Sequence, residues 1–299
     1  MIYLACADIH ISEHKPRYRK DDYFAASCEK LKWAISQANE HEAQLIIAGD
    51  LFDSSKASVY VLNTVMGIIQ AADKEPIVIA GQHDLRYHTS LEKTPIYNLA
   101  LSGDITLLIS DSMKFHTSTG TSIISGYSWE KEPQDPNFHT DILMLHHCCT
   151  PEEPPFFLED ATSAADLSKM YPNAKYIVCG DYHIPHHTGN VINCGTFMRN
   201  KKDMLDHQPY VWLIDTDKDE VKKIKVPIAP ADEVFDIEAI AYDEEHGITV
   251  DTEKLKELMD GALETVDLKN VVFSIYSKMK KKDKPSKQLV EEVLNAIST

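Results

Sequence analysis

The sequence predicts an α/β fold of two β-sheets packed as a sandwich flanked by helices, followed by a small C-terminal α+β capping domain. Three observations predict it. The first ~100 residues alternate strand and helix patterns. From residue 105 onward, short apolar runs follow one another with little helix between them. Pro227-Ile228-Ala229-Pro230 then breaks the chain ahead of a second, shorter alternation. At 299 residues there is room for one large domain and an appendix, and the break divides the chain into 1–226 and 227–299.

The elements follow from periodicity. Residues 2–7 form an apolar run of strand length. After a basic loop carrying Lys15, Arg17, Arg19 and Lys20, the residues Phe24, Cys28, Leu31, Ile35 and Ala38 recur at three- and four-residue spacing. That spacing predicts a helix over 21–40 with one buried face, and Asp21 and Asp22 suit its first turn. Strand 44–48, helix 58–72 and strand 76–80 continue the alternation. The runs 105–109, 121–126, 142–145, 176–179, 191–194 and 210–215 read as strands of a second sheet. A helix near 163–170 and a proline-rich loop at 151–155 interrupt them. Past the break come strand 234–241, helix 252–263, strand 271–276 and a terminal helix over 286–297. The lysine run from Lys278 to Lys287 reads as a solvated loop or, alternatively, a phosphate-backbone contact.

Composition narrows the class. A hydrophobic content of 43% supports an ordinary core and argues against global disorder. No apolar run approaches the ~18–20 residues of a membrane-spanning helix. The N-terminus runs into a strand without a basic leader, so a protein of the reducing cytoplasm is expected. Six cysteines (Cys6, Cys28, Cys148, Cys149, Cys179 and Cys194) lack a CxxC spacing and read as small core hydrophobes; the adjacent Cys148-Cys149 is where a thiol site would fall. A formal net charge of −17 opposes non-specific coating of nucleic acid, which relies on Lys and Arg contacts.

Five short acidic and histidine motifs each close an apolar run. They are Asp8-Ile9-His10, Gly49-Asp50-Leu51-Phe52-Asp53, Gly81-Gln82-His83-Asp84, His146-His147 and Gly180-Asp181-Tyr182-His183. Residues just past the carboxyl ends of strands in an α/β sheet share one crevice, where ligands bind. Carboxylates and imidazoles converging there suit a divalent metal. His14, His41, His88, His116 and His207 stand outside the motifs and read as surface or loop residues.

In order and residue type, these motifs resemble those of the calcineurin-like metallophosphoesterases. The surrounding text is similar to the Mre11/SbcD DNA-repair nuclease group: Arg19-x-x-Asp22-x-Phe24 before a helix, then IIAGDLFD, GDYHIP and NCGTFMRN. The resemblance implies a two-sheet phosphoesterase domain with a small cap. It implies Asp8, His10 and His183 as ligands of a first metal, Asp50 as the bridging carboxylate, and His146, ahead of His147, as a ligand of the second. His83 is implied as the catalytic histidine beside the scissile phosphate and Asp84 as the carboxylate that orients it. Asp53 itself reads as support for the turn after Asp50 rather than as a metal contact. The family pattern has Asn at Gln82 and His at Asp181, both at the second metal position. That site is therefore altered, with His186 and His187 as substitute ligands to weigh. Manganese is the implied ion, and carboxylate with imidazole donors suits it.

The finer resemblance implies a metal-dependent phosphodiesterase cutting DNA, a Rad50/SbcC-type ATPase partner engaged through the helix at 286–297, and a homodimer with no membrane attachment. Two alternatives stand beside it. One is a phosphoesterase for nucleotides or small phosphodiesters, which the acidity favours. The other is a weakly catalytic subunit that binds DNA ends or a partner.

Overall fold

A strand that is apolar on both faces needs cover on both, and β1 (Ile2–Cys6), β2 (Gln44–Ala48) and β3 (Ile77–Ile79) are of that kind. The computed structural model describes residues 1–246 apart from 118, 119, 136, 156, 157 and 159. Leu4, Cys6, Leu45, Ile47 and Val78 face α1 (Tyr23–Glu40), α2 (Val59–Ile69) and α3 (Pro95–Ser102). The alternate residues Tyr3, Ala5, Ile46, Ile77 and Ile79 face a second sheet.

The first sheet has the order β14 (Glu220–Lys225), β13 (Tyr210–Asp215), β1, β2, β3, β4 (Thr106–Leu108). The second has the order β11 (His186–Thr188), β12 (Val191–Asn193), β10 (Ala174–Gly180), β7 (Thr140–His146), β6 (Gly120–Tyr127), β5 (Ser110–Thr117). Ile142, Met144, Tyr176 and Val178 fill the space between the sheets. Leu143, Leu145, Ile177 and Cys179 pack outward on α4 (Ala164–Met170). Helix, sheet, sheet and helix thus form four layers. A two-stranded parallel sheet of β8 (Cys149–Thr150) and β9 (Thr162–Ser163) extends from the end of β7. Helix starts are capped as their sequences direct: Asp22, Ser58, Thr94 and Ser163 each accept a first-turn N–H.

The two-sheet sandwich expected from the sequence is present, but strand membership differs. The runs at 105–109 and 210–215 belong to the first sheet. β4 returns through α3 to pair parallel with β3 (Ile77 opposite Thr106), and β13 pairs antiparallel with β1 (Tyr3 opposite Ile214). An apolar run records burial, not which edge it joins. β5 and β14 escaped detection because they are polar edge strands, one of them Glu220-Val221-Lys222-Lys223-Ile224-Lys225. α3 was marked by Thr94 at the N-cap, Pro95 in the first turn and Gly103 at φ 77° after the last.

The chain divides into two units, Met1–Phe235 and Asp236–Thr299. The first extends beyond the break at Pro227 because Phe235 is fully buried in it, with the guanidinium groups of Arg19 and Arg199 5.4 and 5.7 Å from its ring centre. The strand expected at 234–241 is instead helical, in α5 (Ala231–Val234) and α6 (Ile237–His246). The Asp236 carboxylate accepts from Ala239 N at 3.0 Å, which starts a helix within a run of good helix formers. The elements expected at 252–263, 271–276 and 286–297, and the lysine run, lie outside the described residues. Among the described residues no helix is long and apolar enough to cross a membrane.

Candidate metal centre

Five parallel strands deliver the motifs to one place. β1, β2 and β3 end the first sheet's contribution, and β7 and β10 end that of the second. The loops after β1 and β2 run side by side, with Asp8 N donating to Gly49 O at 3.1 Å and His10 N to Asp50 O at 3.0 Å. Asp8, His10, Asp50 and Asp181 sit at φ 51°, 49°, 51° and 86°. Non-glycine residues rarely adopt that region, and strain of this kind clusters at functional sites. Two glycines are set by close approach: a Cβ at Gly49 would fall on the His146 ring, and one at Gly81 on the Asp50 carboxylate.

Among the described residues three groups of side-chain donors converge, each with its ligand atoms within 4.8 Å of one another: Asp8, His10 and His183; Asp8, Asp50 and His146; His10, Asp50 and His83. Asp8, His10 and Asp50 each belong to two of them, so the three groups form one continuous cluster around the Asp50 carboxylate. Its Oδ2 lies 3.4 Å from His146 Nε2 and 3.8 Å from His10 Nε2. The outer ring nitrogens face acceptors. His146 Nδ1 donates to Ala48 O at 2.7 Å, and His10 Nδ1 is 3.5 Å from Asp53 Oδ1. Holding a histidine by one nitrogen so that the other faces inward is how second-layer groups orient metal ligands.

The residues fit a divalent cation. His10 Nε2, Asp50 Oδ2, Gln82 Oε1 and His146 Nε2 are all buried without a hydrogen-bond partner. Each such orphan costs about 1–3 kcal/mol, and a cluster of them is explained by a cation that takes them as ligands.

The electrostatics of the cation-free centre point the same way. Burial, assisted by the Asp50 charge, pushes the Asp8 carboxyl up to about 7. Burial opposes charge on His10, yet Asp53, Asp50 and Asp8 lift it to about 9. His146 is likewise raised well above its usual range against burial, chiefly by Asp50. Burial would raise Asp50 too, but His146, then His10 and His83, hold it below the usual carboxylate range. His183 is pushed down to about 3 by burial and by His10, so it stays neutral and able to ligate. Protons here occupy positions that a metal would claim, which couples metal binding to proton release.

Several expected residues play other parts. Asp84 does not touch the His83 ring; its oxygens accept from Phe52 N (2.9 Å), Gly81 N (3.0 Å) and Leu51 N (3.3 Å), so it ties together the turns after β2 and β3. The His83 ring is held instead by Asp53, whose carbonyl is 2.9 Å from Nδ1. Asp181 lies outside the three convergent groups. Its N–H donates to the Asp8 carboxylate at 3.0 and 3.2 Å, and its Oδ1 accepts from Gln82 Nε2 at 2.7 Å. The two departures from the family pattern are therefore bonded to each other across the two sheets. Among the described residues His147 is turned to Thr162 Oγ1 and His186 to Cys149 O, and neither joins the cluster, nor does His187.

The NCGTFMRN segment has a bracing role that its composition does not reveal. Asn193 Nδ2 donates to Tyr182 O and Ile184 O, and Thr196 Oγ1 donates to Asp8 O at 3.0 Å. The six cysteines are free thiols; all but the half-buried Cys148 are buried, as packing residues would be.

A helix-flanked double sheet with a carboxylate–imidazole centre at its strand ends defines a metal-dependent hydrolase. Residues 1–185, which include all five motifs, match the calcineurin-like phosphoesterases, and the chain belongs to that family, whose members use divalent metals. The fold is similar to the crystal structure of TT1561 of Thermus thermophilus, with a TM-score of 0.50 at 13% identity over 76% of this chain and 99% of that one. Weaker likenesses are to a novel archaeal phosphodiesterase (TM-score 0.39, 14% identity, 75% of this chain and 99% of that one) and to the NAD nucleotidase NadN of Haemophilus influenzae (0.43, 11%, 75% and 49%). No curated protein matches the chain.

Proposed function

We propose that this chain is a metal-dependent phosphodiesterase and, more finely, a manganese-using DNA nuclease of the Mre11/SbcD type with an altered second metal position. One observation carries the phosphodiesterase reading: orphaned ligand atoms of His10, Asp50, Gln82 and His146 meet at the ends of strands from two sheets. Divalent ions bound there would polarise the phosphate and lower the pKa of an attacking water. The chain's own residues supply the rest. Asp50 ties the two halves of the centre together. His83, held through Nδ1 by the Asp53 carbonyl, has Nε2 free, and in its protonated imidazolium form it would give the Nε2 proton to the departing oxygen as the P–O bond breaks. The sequence motifs support the nuclease branch and, with it, an ATPase partner and a dimer.

A second reading, hydrolysis of nucleotides or small phosphodiesters, is favoured by the net charge of −17. Manganese-dependent assays on single- and double-stranded DNA, beside bis(p-nitrophenyl) phosphate, separate the two. Cleavage confined to DNA supports the nuclease, and cleavage confined to the small ester supports the second reading. Silence on both removes the phosphodiesterase.

A further inference from the structure

We propose that a cavity beside the His83 loop, walled by Lys56, Arg86 and Lys93, binds a second phosphate group of the substrate, separate from the scissile one. This rests on the phosphodiesterase reading and names what that site would select. The cavity measures about 350 Å³. Both segments that place His83 continue into its walls. Asp53, whose carbonyl holds the ring, leads to Ser55 and Lys56, and His83 itself leads to Arg86.

The charges are what call for a ligand. Some lysines elsewhere pair with acids, as in Lys32–Glu29 at 2.7 Å, Lys169–Asp166 at 2.7 Å and Lys218–Asp215 at 3.1 Å. Among the described residues Lys56, Arg86 and Lys93 make no ion pair, and Glu92 is the one carboxylate on the cavity wall. Arg86 Nε is buried without a hydrogen-bond partner, its guanidinium 5.3 Å from the Tyr87 ring centre. In a chain of net charge −17, three unpaired cations around one concavity repel each other and attract an anion. Phosphate, with several acceptor oxygens, suits an arginine fork flanked by two lysines. Pro95, Tyr97 and Leu101 add apolar surface for the sugar or base that bears it.

The source of that phosphate is either the end of a short nucleotide or the next link of a strand, and the test separates them. Hydrolysis of dithymidine monophosphate with manganese is compared with that of the same compound bearing a terminal 5′- or 3′-phosphate, and with that of a ten-residue oligothymidylate. One phosphate-rich substrate should be preferred in kcat/KM by about tenfold or more. Lys56→Gln/Arg86→Gln/Lys93→Gln should bring that ratio close to one, and Arg86→Lys with both lysines intact should retain part of it. Preference for the end-phosphorylated dinucleotide assigns the cavity to a nucleotide terminus, and preference confined to the decamer assigns it to a strand. A ratio that does not change in the triple variant overturns the proposal. If no substrate is cleaved, the phosphodiesterase reading fails by itself. Calorimetric titration of chelator-treated protein with inorganic phosphate then decides the cavity: binding weakened about tenfold or more in the triple variant supports it, and equal binding overturns it.

Discussion

Gln82 and Asp181 are expected to act as one unit in holding the second metal, and a double-mutant cycle tests this. Gln82 Nε2 donates to Asp181 Oδ1 at 2.7 Å, while Gln82 Oε1 is buried with no partner. The carboxylate thus fixes the amide with its oxygen free to ligate. A hydrogen bond to a charged group contributes about 1.5–3 kcal/mol, equivalent to roughly ten- to hundredfold in affinity. Gln82→Asn shortens the side chain by one methylene and takes it out of reach of Asp181. Asp181→His removes the acceptor. Each single change should weaken the second of two manganese-binding events in a calorimetric titration by that factor. The double change, which recreates the amide and imidazole of the family pattern, should restore or exceed the original affinity. Residues in direct contact couple in this way, whereas distant ones add. His146→Ala in the double variant should abolish the recovery, because the resemblance assigns His146 to the same second metal. If the single losses add in the double variant, the two residues act independently and the reasoning fails.

His83→Ala should lower turnover by about 10²–10⁴-fold while metal content, measured by atomic emission, stays unchanged; loss of metal would make His83 a ligand, since it also converges with His10 and Asp50. Gly49→Ala should cost about 1–3 kcal/mol in denaturant unfolding and reduce bound metal, because φ is 93° and the added carbon meets the His146 ring; full metal loading would refute the close approach. The pH dependence of the metal-free protein has a definite sign. His10 is raised from 6.5 to about 9, so its contribution is fully present below pH 6.5 and lost as pH rises through 9. His146, also raised, acts in the same direction. Thermal melts in chelator should therefore fall by several degrees from pH 6.5 to 9, and saturating manganese should remove most of that slope; a rising melting temperature over this interval would refute the assignment.

The cluster was legible in the sequence because donor side chains at strand ends must stand next to the strands that hold them. A metal bound at strand ends leaves an apolar run followed by Asp or His, and Asp8, Asp50, His146 and His183 all carry that mark. Which way a side chain turns leaves no such mark. Asp84 follows His83 directly, yet it is spent on backbone N–H groups of two turns, while Asp53, from another motif, holds the His83 ring. Sheet order was hidden for a related reason: β4 and β13 bury the same kinds of residue as the second-sheet strands, and their pairing with β3 and β1 depends on the path of the chain between them. Gln82 and Asp181 show the limit most directly. Read along the chain they are two separate departures from the family pattern, each an apparent loss to the second metal position. Ninety-nine residues apart in sequence, they are 2.7 Å apart in space. A longer amide needs an anchor for its N–H₂ if its oxygen is to be held, and a carboxylate supplies one where an imidazole would have taken the metal itself. The second substitution is therefore the physical condition that makes the first tolerable.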